Sequence, residues 1–285
     1  MMKNFLFLFL LLSSFQSPLS AEPSPVQVGA DIDYAPFSFL KNGSPAGFDI
    51  EFFEMLAGRL SVSARYGLLP WHEVHKQAKQ GDFDIVLGLL YSPEREMYMD
   101  FTVPYNTIQM SLVVPKESSI RAPSEIAGKT MAYLKNDVLP ELLLENLHIS
   151  VQKNRYDTLT EALHSVSTGE SDFCITPSEF IRVSMKKNEY KNLRVINSDR
   201  FTAAYKIGVT ESGKKLLKPL NTAIKQLLKS NRYQRLKQKW SFSKASRESG
   251  GNGTDSIPAV LFGITAAFIL GCAVTVILLK KKLEL

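Results

Sequence analysis

The sequence predicts an α/β protein made of two α/β pieces and a return to the first, exported from the cytoplasm and held at a membrane. Three observations carry this. Short apolar strands alternate with amphipathic helical stretches twice along the chain, which is the pattern of parallel sheets covered by helices. A strand and a long helical stretch then follow the second piece. An apolar segment lies near each end of the 285 residues.

The elements are justified in chain order. "MMKNFLFLFLLLSSFQSPLSA" (1–21) has one lysine, a Phe/Leu run and then small polar residues, the layout of a signal peptide. In the first piece, 22–105, "VQVGADI" reads as a strand and "GFDIEFFEMLAGRLS" as a helix with Phe48, Phe52, Met55, Leu56 and Leu60 on one stripe. "ARYGLLP" is a strand, "WHEVHKQAKQG" a helix, and "FDIVLGLL" a nearly continuous apolar strand. The second piece, 106–203, repeats the style. "QMSLVVPK", "KTMAYLK", "ISVQKN" and "SDFCIT" are strands. "APSEIAG" is a short helical turn, "DVLPELLLENL" a helix broken early by Pro140, and "DTLTEALHSVSTG" a helix. The return, 204–242, opens with the strand "AYKIGVT". It continues as a helical stretch from Gly213 to Trp240, whose apolar positions recur at helical spacing.

"SKASRESGGNGTDS" (243–256) is rich in Ser and Gly and reads as a flexible linker reaching about 20 Å. Residues 257–279 carry no charge, and at about 1.5 Å per residue they span a hydrocarbon core. Lys280, Lys281 and Lys282 follow, so 280–285 is expected in the cytoplasm. The expected placement is a single-pass inner-membrane protein with its folded part in the periplasm or outside.

The formal charge of +6 concentrates at the ends; residues 22–256 hold 30 basic and 27 acidic side chains. That balance excludes a nucleic-acid partner. Lys214 to Lys239 is a basic run with no acidic residue, read as a solvated face or as a surface that docks on anionic lipid. The two cysteines, Cys174 and Cys272, fall in different compartments, so no disulfide between them staples the fold.

Five stretches occur in an order that resembles the bacterial extracellular solute-binding proteins of family 3, the amino-acid-binding type. They are "VGADIDYAPFSF", "GSPAGFDIEFFEMLA", "QGDFDIVLGLLYSPEREMYMDFTVPY", "GESDFCIT" and "LNTAIKQLLKSNRYQRLKQKW". The resemblance covers about Val26 to Phe242. It implies a two-lobed periplasmic-binding-protein fold of type II. Its crossing strands fall near Asn106–Gln109 and Ala203–Lys206, and the lobes close on a small amino-acid-like or organic-acid ligand. It implies a transporter or a sensor as membrane partner.

The site residues follow from the same match. Arg95 comes after a buried strand, where the carboxyl ends of a sheet open on a ligand crevice. A guanidinium there can grip a carboxylate bidentately, as the matching family arginine does, the alternative being a surface arginine that pairs with Glu94 or Glu96. The backbone at Gly88 and Leu90 would add donors. Tyr34 and Phe37 offer aromatic faces after the first strand, with a plain core role the alternative for Phe37. Asp31 stands where the family contacts the ligand side chain, and Asp33 reads as a solvated loop charge.

Two departures complicate the match. Asn136 and Asp137 replace a Gly-Thr pair that normally helps hold the carboxylate. Pro177 stands where an aspartate for the ligand's ammonium is expected, with Ser178 and Glu179 as nearby substitutes. Asp137 either takes over the ammonium role or pairs with Arg95 when the lobes close.

Catalytic signals are weak. "WHEVH" is one residue short of a zinc helix and reads as a helix surface, and Cys174 reads as a small core residue. No cofactor or metal motif is present, and a binding protein rather than an enzyme is expected. The alternatives are a regulatory or protein-interaction module on the same scaffold, and an enzyme resembling cyclohexadienyl dehydratase.

Overall fold

The computed structural model describes residues 24–139, 144, 148–186 and 190–240, with the side chains of 198–201 left aside. The expected signal segment 1–21, the linker 243–256, the apolar span 257–279 and the tail 280–285 lie outside the described residues. So does most of the "DVLPELLLENL" helix. Among the described residues no helix is long and apolar enough to cross a membrane.

The first lobe begins with strand β1 (Val26–Asp31) and a small antiparallel sheet of β2 (Asp33–Tyr34), β3 (Ser38–Lys41) and β4 (Ser44–Ala46). Helix α1 (Phe48–Leu60), β5 (Ala64–Leu69), α2 (Trp71–Gln80) and β6 (Ile85–Leu89) follow. Then come the single turn α3 (Pro93–Glu96) and β7 (Met99–Phe101). β1 pairs in parallel with both β5 and β6. The expected apolar stripe of α1 holds for Phe48, Phe52 and Leu56, and burial extends to Ile50 and Phe53.

The second lobe holds β8 (Asn106–Pro115), a 3-10 turn (Pro123–Ile126), β9 (Thr130–Leu134), β10 (Gln152–Tyr156), α4 (Leu159–Thr168), β11 (Phe173–Pro177) and α5 (Ser178–Ser184). Thr158 and Glu161 form a reciprocal capping box at the start of α4.

The two lobes share one strand. β12 (Leu193–Thr210) is 18 residues long. Its first part, Leu193–Asn197, pairs with the far end of β8, and Thr202–Tyr205 pairs with Gln109–Asn106. Its last part pairs with β6 and β7 of the first lobe. The strand order is therefore β10-β9-β11-β8-β12-β6-β1-β5, with the ladder broken between Asn197 and Thr202. A strand from Leu193 is longer than the "AYKIGVT" segment that the sequence pattern marks. Arg194 hides the start, because its guanidinium serves the carbonyls of Ser118 and Ile120.

The closing helical stretch is two helices after a 3-10 turn, α6 (Leu217–Leu228) and α7 (Asn231–Lys239). Ser230 ends one and caps the other by accepting from the Tyr233 amide. Leu220, Ala223, Ile224, Leu227, Tyr233 and Leu236 are buried from these two helices. Within the basic run Lys239 pairs with Glu51 at 2.7 Å and Lys214 with Glu211 at 2.9 Å.

The entry to α1 depends on a glycine. Gly47 has φ 128°, and a Cβ there would lie 2.1 Å from the Phe37 carbonyl oxygen. The Gly47→Ala variant combines backbone strain with a clash against main chain, so it is expected to cost about 2–4 kcal/mol. Denaturant unfolding checks this; a loss below about 1 kcal/mol would show that the turn relaxes freely.

Candidate functional site

Arg95 sits on the turn that follows β6. Ser92 accepts a hydrogen bond from the Arg95 amide at 3.2 Å, and Pro93 takes the first helical position. "Ser-Pro-Glu-Arg" is thus a capped turn that drives the fourth residue inward: Arg95 is only 3% exposed. Its Nη1 donates to the Leu90 carbonyl at 2.8 Å, and its Nη2 reaches across the cleft to the Asn136 carbonyl at 2.7 Å. The guanidinium also lies over the Trp71 ring, 5.5 Å from its centroid. Among the described residues no carboxylate forms an ion pair with it. Burial lowers its pKa, and the nearby charge of Asp137 opposes that shift. An arginine keeps its charge regardless.

The partner carbonyl belongs to a turn in the second lobe. Asn136 adopts the left-handed conformation at φ 61°, which asparagine tolerates well. Asp137 follows, and its Oδ1 accepts from the Leu139 amide at 3.0 Å.

Asp31 ends β1 and is 5% exposed. Its Oδ1 accepts from the Asp33 amide at 2.9 Å. Burial pushes its pKa up to about 7, and the charges of Asp33 and Asp137 add to that. Asp33 is not a solvated charge: its Oδ2 accepts from the Thr160 amide at 3.0 Å, in the first turn of α4 on the other lobe.

Tyr34 and Tyr205 share a short hydroxyl–hydroxyl hydrogen bond. Tyr34 stacks on Phe37 with centroids 4.8 Å apart. Phe37 itself is fully buried, in the core beneath Tyr34. Gly88 does border the cleft, yet its N–H donates to the Tyr105 hydroxyl at 3.1 Å. Tyr105 in turn donates to Asp49 Oδ1 at 2.7 Å. Asp49 is buried, and burial pushes its pKa up to about 7. Leu90 contributes a carbonyl acceptor to Arg95.

Asp31, Tyr34, Trp71, Gly88, Leu90, Arg95, Asp137, Pro177 and Tyr205 surround one cavity of about 30 Å³ between the lobes. Of the residues expected from the sequence, Arg95, Tyr34, Asp31, Gly88, Leu90 and Asp137 are brought together here; Phe37 is not on the wall. Ser178 and Glu179 are also off it. Ser178 Oγ is 2.6 Å from Ser111 Oγ.

Tyr205 is the main residue that the sequence reading missed. The signal was present: Ala203, Tyr205, Ile207 and Val209 alternate inward along β12 and are buried. His75 also departs from expectation. It is 2% exposed rather than on a helix surface, and its Nδ1 lies 2.6 Å from the Tyr98 hydroxyl. Among the described residues no cluster of His, Cys, Asp or Glu is arranged to hold a metal. Cys174 is buried in β11, and burial pushes its thiol up to about 12.

Two α/β lobes joined by antiparallel crossing strands, with a buried arginine at the cleft, define a two-lobed periplasmic-binding-protein fold. Residues 26–244 match the family described as bacterial extracellular solute-binding proteins, family 3, and the chain belongs to it. A probable histidine-binding protein of Neisseria gonorrhoeae is 24% identical over 229 residues, covering 78% of this chain and 85% of the relative. Among solved structures, a histidine kinase sensor domain with similarity to periplasmic binding proteins superposes with a TM-score of 0.69. It is 23% identical, over 76% of this chain and 95% of its own. An ancestral amino-acid-binding protein, a precursor of cyclohexadienyl dehydratase, gives a TM-score of 0.65. Its identity is 26%, over 76% of this chain and 94% of its own.

The two buried carboxyls set a pH dependence. Asp31 and Asp49 titrate near 7 when folded and near 4 when unfolded, so the folded chain binds more protons between those values. Their contribution therefore favours folding at pH 5 and is lost as pH rises through 7. Melting temperature measured from pH 4 to 8 should fall across that window. The fall should flatten in the Asp31→Asn/Asp49→Asn double variant; an unchanged slope there would contradict the assignment.

Proposed function

We propose that this chain captures a small amino-acid-like or carboxylate ligand between its lobes, with Arg95 as the anchor for the ligand's carboxylate. The observation that carries this is the state of the guanidinium. It is buried at the cleft, and the groups that hold it are two neutral carbonyls and an aromatic face. A buried cation held only by neutral groups lacks the compensation that a carboxylate supplies. A ligand carboxylate that takes the place of the Asn136 carbonyl satisfies it.

In this reading the other roles fall to the remaining wall. Asp137 faces the ligand's cationic group in place of the aspartate that Pro177 replaces. Asp31 and Tyr34 contact the ligand's side, and Gly88 and Leu90 form the floor. With the lobes joined by Arg95 to Asn136 and Asp33 to Thr160, entry of a free amino acid in this reading requires the lobes to part. The motion would pivot on the crossing strands, with 22–105 and 204–242 as one body and 106–203 as the other. The name of the histidine-binding relative supports an amino acid as ligand and a binding role for the cleft.

The cellular reading follows the ends of the chain. An exported domain (signal segment 1–21) tethered by 243–256 to a span at 257–279 would stand at the outer face of the inner membrane. There it would serve a membrane partner, a transporter or a sensor.

One observation favours a second reading, a regulatory module whose lobes hold each other. Arg95 to Asn136, Asp33 to Thr160 and Tyr34 to Tyr205 are lobe-to-lobe or lobe-to-hinge contacts made by the chain itself.

A thermal-shift screen of the full-length chain against the common amino acids and short monocarboxylates separates the two. Capture predicts that at least one raises the melting temperature of the native chain and none raises that of Arg95→Ala. A ligand that stabilises both equally, or no stabilising ligand at all, would overturn it.

A further inference from the structure

A second cavity opens on the other side of Arg95, and it is about ten times larger than the first, at about 320 Å³. The first lobe contributes α2, with His75 and Lys79, and the turn α3, with Glu94. The second lobe contributes the ends of β9 and β10, with Lys135, Asp137 and Arg155. Arg95 forms part of the wall of both cavities.

The ionised groups do not cancel. Lys79 pairs with Glu94 at 3.4 Å and Lys135 with Asp157 at 2.7 Å. These are solvent-exposed pairs, which cost little to exchange for another partner. That leaves Arg95 and Arg155 against Asp137. Arg155 is already positioned. It stands opposite Tyr133 in the β9–β10 register, its Nε donates to the Tyr133 hydroxyl, and its guanidinium lies 5.9 Å from that ring's centroid. Its two terminal nitrogens have no hydrogen-bond partner among the described residues. They present the fork that matches an oxyanion.

A third group points the same way. His75 is 2% exposed, and its Nε2 has no hydrogen-bond partner among the described residues. Burial and the neighbouring cations Arg95 and Lys79 push its pKa down to about 2, so the ring is neutral. In the tautomer in which Tyr98 donates to Nδ1, Nε2 carries the hydrogen, on a side chain that forms part of the cavity's lining. A buried polar atom without a partner is rare enough to need a reason.

We propose that this outer cavity is a second ligand site, which binds a small soluble molecule carrying two or more negative oxyanion charges, such as a polycarboxylate or a phosphate, between Arg155 of one lobe and Lys79 and His75 of the other. Such a ligand bridges the mouth of the cleft and favours the closed lobes. The site stands apart from the inner capture reading, because Arg155, Lys79 and His75 do not border the inner cavity.

Calorimetric titration of the full-length chain with citrate and with inorganic phosphate tests it. Binding of at least one in the millimolar range or tighter is expected, weakened about tenfold or more in Arg155→Ala. Arg155→Lys should lose nearly as much, since it keeps the charge and loses the fork. Tyr34→Phe, on the inner wall, and Lys225→Ala, on a remote helix face, should bind as the native chain does. Absence of binding by both anions would overturn the proposal. So would an equal loss in Lys225→Ala and Arg155→Ala, because that marks diffuse charge attraction. Loss in Tyr34→Phe with retention in Arg155→Ala would also overturn it, by placing the anion in the inner cavity.

Discussion

A guanidinium buried between two lobes and held by carbonyls is the constraint on which the rest of this molecule turns. Removing a cation from water is expensive, and neutral acceptors repay only part of the cost. The chain accepts this at Arg95 and arranges its surroundings accordingly. Ser92 and Pro93 fix the turn that carries the side chain inward, Trp71 covers one face of it, and Leu90 holds one of its nitrogens. The other nitrogen crosses to Asn136, so the position of the second lobe is tied to the hydrogen bonding of one side chain in the first.

The carboxyls nearby make sense beside that cation. Asp31 and Asp49 are buried deeply enough to titrate near 7, and neither is paired with Arg95. Asp31 is the one of the two that borders the inner cavity, and a half-protonated carboxyl there leaves the arginine's charge open to a ligand, whereas a fully ionised one in contact would quench it. Asp137 is the group whose charge reaches Arg95 most strongly. It is tied to the Leu139 amide on its own turn, which holds it on the second lobe. The hinge adds a further control. Tyr205 comes from the strand that both lobes share, and its hydroxyl hydrogen-bonds that of Tyr34 beside the inner cavity.

Much of this was legible in the sequence, for reasons that differ by element. The parallel strands β1, β6, β9 and β11 are apolar on both faces and announce themselves, and α2 and α4 carry clean helical spacing, each ending at a glycine, Gly81 and Gly169. Arg95 could be singled out because the stretch around it resembles the family's; alone, an arginine after a strand reads as a surface charge pairing with Glu94 or Glu96. The start of β12 was hidden, because Arg194 and the break after Asn197 interrupt the alternation that marks a strand. Phe37 was ambiguous for a physical reason. An aromatic beside a proline after β1 packs under or over its neighbour, and only the backbone decides which. Gly88 could be placed at the cleft, but nothing local shows that the Tyr105 hydroxyl, 17 residues on, would take its N–H. Long-range hydrogen bonds of this kind, like Asp33 to Thr160, depend on how two lobes meet, and no window of sequence contains both partners.

The central claim is a coupling between one side chain and one ligand group, so a double cycle tests it most directly. An amino acid that stabilises the chain and its primary carboxamide are each titrated into the native protein and into Arg95→Ala. The account predicts that loss of the ligand's negative charge weakens binding to the native protein by at least about tenfold, or about 1.4 kcal/mol, and that the two ligands bind Arg95→Ala alike. Equal discrimination between acid and amide by both proteins would contradict it, and would assign the carboxylate to some other group.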